Sequence, residues 1–175
     1  SWSFGAEDID VEKGSRWAVD AYSLRSGWVS WANPKLNNNT PEKLGEVMGS
    51  FSHPPECPDI DHSDKGGSWQ EQTGFDLTCI TGEDKDEAVS YGSSSLGGIA
   101  AYSDLYDQIA DRPRSTFCHP VVELGERHYE NKAYGGVTYV PIFDIVDWAD
   151  DDRNLLSDGV PKQLEEGVSK AANEN

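Results

Sequence analysis

Positive charge is scarce in this chain, and long apolar runs are missing. Lys and Arg number 14 against 32 Asp and Glu in 175 residues, a formal net charge of −18. That balance excludes a broad basic surface of the kind that holds phosphate backbones, although it leaves room for one local groove, because net charge is only a sum. No stretch of 18 apolar residues occurs and none of leader type follows Ser1, so neither a spanning helix nor a signal peptide is expected. The reading is of a soluble protein. Three cysteines, Cys57, Cys79 and Cys118, cannot all pair within one chain, which excludes a dense disulfide framework and favours a reducing compartment.

The familiar chemical signatures are missing as well. There is no phosphate-binding loop, zinc helix, nucleophile elbow or dinucleotide fingerprint, so no enzyme class and no cofactor is predicted. His53, Cys57, His62, Cys118 and His119 are potential metal donors, but their spacing matches no standard zinc module. Cys118 beside His119 does not read as a nucleophile and base, since adjacent side chains on a strand point to opposite faces. No catalytic and no metal-binding residue is predicted.

What is present is β-type patterning and many aromatic rings. The length suits one domain, read as an acidic arm over residues 1–14, a main domain over 15–148 and an acidic tail over 149–175. Seven of the acids follow Trp148, and the apolar residues there (Leu155, Leu156, Val160, Leu164, Val168) leave a short docking helix open. Strand character runs from Trp17 to Trp31, more weakly from Leu44 to Met48, and as a hairpin from Ser68 to Tyr91. Residues 52–67 form a long Pro- and Gly-rich loop, of the kind that is often functional. The one convincing helix covers residues 93–111, where serines supply an N-cap and Ile99, Tyr102, Leu105, Tyr106 and Ile109 recur at helical spacing.

The segment from Pro120 to Trp148 reads as a hairpin that presents a face. Its strands are placed at Pro120 to Leu124 and Gly136 to Trp148, and the polar turn between them carries Arg127, His128, Tyr129, Lys132 and Tyr134. Pro141 implies an edge or a bulge, because proline cannot donate to a ladder. Six Trp and seven Tyr exceed what a small core needs, and several stand beside cations: Arg16 with Trp17, Tyr22 with Arg25, Arg127 with Tyr129, Lys132 with Tyr134. Rings that stack bases, with cations for phosphates, are how sequence-tolerant single-strand binders work. Trp28, Trp31, Trp69, Phe143 and Trp148 also fit a core, and both readings stay open.

Four segments together, SLRSGWVSW, GSWQEQTGFDLTCITGED, SSSLGGIAAYSDLYDQIA and VVELGERHYENKAYGGVTYVPIFDIVDW, resemble the single-stranded DNA-binding proteins of tailed bacteriophages. The resemblance spans roughly residues 15–148. It implies a mostly β, OB-fold-like five-stranded Greek-key barrel with one main helix and long irregular loops, an architecture that binds oligonucleotides across a barrel face. It further implies sequence-independent coating of single-stranded DNA in phage replication or recombination, in the cytoplasm of an infected host. Replication proteins would be recruited through the acidic tail. On that expectation Arg16, Arg25, Lys35, Arg127 and Lys132 contact phosphates, and Trp28, Trp31, Tyr129 and Tyr134 include the stacking platform.

Two other classes stay in view. The acidity itself supports a protein-interaction or DNA-mimic module that captures a basic partner. Exposed aromatics also suit an extracellular sugar-binding or virion-surface β-domain, in which Cys57 would pair with Cys79 or Cys118. Homodimerisation is compatible with all three.

Overall fold

The computed structural model describes residues 2–112, 118–133 and 135–156. Ten strands and one α-helix follow in chain order: β1 (Ser3–Phe4), β2 (Ile9–Asp10), β3 (Arg16–Val19), β4 (Arg25–Trp31), β5 (Lys43–Ser50), β6 (Trp69–Cys79), β7 (Ala88–Ser93), α1 (Leu96–Asp111), β8 (His119–Glu130), β9 (Val137–Ala149) and β10 (Leu155–Leu156). β1 and β2 pair only with each other. The remaining eight strands form one antiparallel sheet in the order β10-β9-β8-β3-β6-β4-β5, with β7 on β6.

β6 is the spine of that sheet. β3 and β4 lie end to end along it, Trp17 opposite Cys79 and Val19 opposite Leu77, then Arg25 opposite Gly74 and Ser30 opposite Trp69. A 3₁₀ corner at Ala21–Ser23 separates the two halves. Its bonds are one local and two long-range: Tyr22 N–H goes to Asp20 Oδ1, Ala21 N–H goes to the ring Nδ1 of His119, and Asp76 N–H goes to Ser23 Oγ at 2.7 Å. The first expected strand is thus two, and the sequence hides the corner because His119 and Asp76 are distant along the chain.

Alternation along β3 and β6 sends Trp17, Val19, Phe75, Leu77 and Cys79 to one side, where Tyr102 and Leu105 of α1 cover them. Each such fully buried apolar side chain contributes about 1.5–3 kcal/mol. Ser95 caps the helix, its Oγ accepting from Gly98 N–H at 3.0 Å, so the predicted N-cap falls among the expected serines. Arg112 Cζ lies 4.2 Å from the ring centre of Trp148.

The pairings form an open path among the described residues rather than a closed five-stranded barrel. What stands is a mostly β fold with one main helix and open antiparallel sheets. The sheet also runs past Trp148: Ala149 is buried, and Leu155 and Leu156 pair with Ala149 and Trp148. The tail helix considered above lies almost entirely outside the described residues.

The β8–β9 turn departs from its sequence reading, and the 52–67 loop follows its own. The polar turn expected from Arg127 to Tyr134 is strand over its first half, since β8 runs to Glu130. Inter-strand bonding overrides polar composition there, and Glu126 to Glu130 are exposed on both faces of the strand. Pro141 pairs opposite Glu126 at a point where β9 has no second neighbour, the edge position that a residue without an N–H requires. The register shift in this hairpin falls instead between Val121 and Val122.

Residues 52–67 contain no strand, and they form a strap across the β4-β5-β6 face. Two indole N–H groups hold it: Trp28 donates to Pro55 O at 3.1 Å and Trp69 to Ile60 O at 2.9 Å. His62 bonds Ser30 Oγ through Nδ1 at 2.9 Å. Glycine lets the strap lie close. A Cβ on Gly49 would stand 2.6 Å from His53 O, and one on Gly45 would stand 2.6 Å from the Trp69 ring.

Candidate nucleic-acid interface

β8 leaves β3 after Glu123, and from Gly125 outward its only ladder partner is β9. The result is a two-stranded ribbon, anchored at its base by Trp2 Nε1–H donating to Gly125 O at 2.9 Å. A six-residue connection closes it. Asn131 N–H bonds Gly136 O, Gly135 N–H bonds Asn131 O, and the Asn131 side chain accepts from Ala133 N–H. Gly135 and Gly136 have φ of 65° and 112°, which only glycine adopts readily, so the sequence Gly-Gly dictates this closure.

Register divides the ribbon into two unlike faces. Arg127 lies opposite Val140 and Tyr129 opposite Thr138, with Ile142 opposite Gly125 on the same side. From Gly125 outward that face carries no carboxylate on either strand, and the acids Glu123 and Asp144 lie on it at the base. The other holds Glu126, His128 and Glu130 opposite Pro141, Tyr139 and Val137, with the His128 and Tyr139 rings 6.0 Å apart. Tyr129 is 53% exposed and Tyr139 62%. Lys132 is exposed in the connection. Tyr134 lies outside the described residues.

The remaining site residues named from the sequence are elsewhere. Arg16 stands beside Glu123, Nε to Oε1 3.7 Å, and Arg25 donates to Asp76 Oδ1 at 3.0 Å and to Ser23 O. Each cation is already half committed to a carboxylate. Trp28 is half-buried under the strap, its N–H occupied, which leaves it poorly placed as a stacking platform. Trp31 is exposed at the end of β4, with Lys43 Nζ 5.4 Å from its ring centre, and Lys35 is exposed in the 3₁₀ turn that follows. Trp31 and Lys35 lie at the Ser30 end of β4, whereas Arg127 and Tyr129 lie on the part of β8 that pairs only with β9, with Lys132 in the connection that follows.

The sequence offered His119 only as a metal donor or as a base beside Cys118, and its actual partners were not legible. The ring is buried, Nδ1 accepts the Ala21 N–H at 3.0 Å, and Nε2 therefore carries the proton and donates to Asp151 Oδ1 at 2.7 Å. Both nitrogens are engaged in holding the corner and the 149–153 turn together. A pocket of about 400 Å³ beside it is lined by Asp20, Tyr22, Thr78 and Asp151 among others. The imidazole has no unengaged nitrogen to act as a base toward that space. Only a pairing map could reveal this, because Ala21 and Asp151 are 98 and 32 residues from His119 in sequence.

Among the described residues no three His, Cys, Asp or Glu side chains are placed to hold a metal ion. None of the cysteines forms a disulfide: Cys57 is exposed, Cys79 and Cys118 are buried, and burial pushes the Cys79 thiol above its ordinary pKa. No described helix is long and apolar enough to cross a membrane. These features define a class only at the level of the fold: a helix-covered, open antiparallel β-protein whose β8–β9 pair continues past β3 as a two-stranded ribbon. No protein-family model matches the chain, and comparison with curated proteins and with solved structures finds no match either.

Proposed function

We propose that this protein binds single-stranded DNA without reading its sequence, through the Arg127–Tyr129 face of the β8–β9 ribbon. One observation carries the reading: in a chain with 32 acidic residues, this face has none from Gly125 to Tyr129 or from Thr138 to Ile142, its acids Glu123 and Asp144 lying at the base, and it presents an exposed ring next to a cation that has no carboxylate partner among the described residues. Tyr129 offers a surface for a base, Arg127 and Lys132 reach phosphates, and Thr138 supplies a hydroxyl between them. Stacking on a ring is tolerant of sequence because every base has a π-face. The resemblance noted above supplies the setting, phage DNA replication or recombination, with an acidic C-terminal tail that engages replication proteins.

Fluorescence anisotropy of a labelled oligo-dT at low salt tests this proposal. Binding in the micromolar range or tighter, weakened by raising salt, supports it. Failure to bind at any salt with the fold intact removes it.

A second reading is favoured by a different observation. Arg16, Arg25, Lys43 and Lys65 each stand within 4 Å of a carboxylate, so the acid surplus elsewhere on the body goes largely unneutralised. An acidic interaction module for a basic protein would present that surface. Capture of a basic partner by a protein that ignores oligo-dT selects this reading over the first.

A further inference from the structure

The N-terminal arm and the sheet enclose a pocket that the DNA-binding proposal does not use. It measures about 410 Å³, within the range of small-molecule sites, and lies between β1–β2 and the side of the main sheet that carries the core. Its walls are aromatic. Trp2 and Phe4 come from the arm, and Trp17, Leu77, Tyr91 and Phe143 from the body. The Trp2 ring lies 6.0 Å from Tyr91 and 5.6 Å from Phe143, and the Phe4 ring lies 5.9 Å from Trp17.

The chemistry of the lining is exceptional for this molecule. No Asp, Glu, Lys, Arg or His contributes to it, although 26% of the chain is charged. Its few polar groups are hydroxyls, including Tyr91, whose ionisation burial pushes upward and which is therefore neutral at physiological pH. Apolar walls of this kind, partly open to solvent, gain from being covered by an apolar molecule that displaces water from them. A charged occupant would lose its hydration with no counter-charge to replace it. A neutral, flat, apolar molecule would not.

The arm is built as the movable wall. Its strands have two residues each and pair only with one another, and it is attached chiefly through the rings that line the pocket and the Trp2 N–H bond to Gly125 O. We infer that the arm and sheet together form a binding site for a neutral aromatic small molecule of about two fused rings, with Trp2 and Phe4 closing over it.

The test uses the full chain and the neutral fluorophore N-phenyl-1-naphthylamine, with naphthalene-2-sulfonate as its charged counterpart. Saturable one-to-one binding is expected, with quenching of tryptophan emission, at least tenfold weaker binding of the sulfonate, and contacts from the probe to the Trp2 and Phe4 ring protons in NMR. Val11→Trp, which places a ring into the space from the arm side, is expected to weaken binding at least tenfold. Leu96→Trp, which adds the same ring at an exposed helix position, leaves it unchanged. If Val11→Trp does not fold by circular dichroism, Ala88→Phe narrows the pocket from β7 and carries the same expectation. No saturable binding, equal affinity for the sulfonate, or binding indifferent to the filling variants in a folded protein overturns the inference. None of these results depends on whether the ribbon binds DNA.

Discussion

Arg127 and Tyr129 owe their importance to position rather than type. Two residues apart on one strand, they share a face, and the partner strand places Thr138 and Val140 opposite them instead of acids. A stacked base contributes about 1–3 kcal/mol, so Tyr129→Ala is expected to weaken oligo-dT binding roughly 5- to 150-fold in a titration. Arg127→Gln is expected to lower the slope of log affinity against log salt by about one, the loss of one phosphate contact. Trp28→Phe is expected to leave both quantities unchanged. Tyr129 was legible as a candidate because its neighbours in sequence are polar. The role of Trp28 was not, since its carbonyl partner at Pro55 lies 27 residues away.

Tyr102 makes a second prediction at this scale. Its ring is core and its hydroxyl has no hydrogen-bond partner, and burial, aided by Tyr106 and opposed by Arg25, pushes its pKa from 10.0 up to about 12. The folded state thus holds this proton where the unfolded state has released it. The stability that results is fully present below pH 10 and is lost as pH rises from 10 toward 12. Denaturant titrations across that interval are expected to show the decline, and Tyr102→Phe to flatten it. At neutral pH the same substitution is expected to change stability little, because an unpartnered buried hydroxyl contributes nothing that phenylalanine lacks.

Among the elements, the strap and the ribbon are the informative ones. The strap lies on β5 only because Gly49 has no side chain: Gly49→Ala would bring a Cβ to 2.6 Å from the backbone oxygen of His53 and 2.8 Å from Pro55 Cδ. Overpacking of this kind costs about 1–3 kcal/mol. Gly49→Ala is therefore expected to lower the melting temperature and to open residues 52–61 to proteolysis, with oligo-dT affinity unchanged. The strap was legible as a loop from its prolines and glycines. Its docking was not, because it depends on two indole donors belonging to strands on either side of it. The ribbon shows the reverse: both strands were legible from their β-branched residues, while their true length was masked by the polar residues of the exposed turns of the ladder.

For the whole molecule, the mostly β character, the single helix and its serine cap follow from local pattern, which sequence carries well. The sheet order does not. The pairing of β3 with both β6 and β8 joins residues about 60 and 105 positions apart, and nothing in the alternation of either strand specifies its neighbour. The charge, by contrast, reads directly from composition, and the folded state sharpens it by pairing body cations with carboxylates while leaving the outer part of the ribbon face, beyond Glu123 and Asp144, without acids. The thiols check the fold as a unit. One of the three is expected to react rapidly with a disulfide reagent under native conditions, Cys57, and all three only after unfolding.

The central claim is that one face of one ribbon meets the nucleic acid. Ultraviolet crosslinking of the protein to a bromodeoxyuridine-substituted single-stranded oligonucleotide, followed by peptide mapping, addresses that claim most directly. The account predicts adducts at Tyr129 or its immediate strand neighbours, lost in Arg127→Gln/Tyr129→Ala. Adducts confined to the Trp31 end of β4, or none under conditions where the oligonucleotide is in excess, would contradict it.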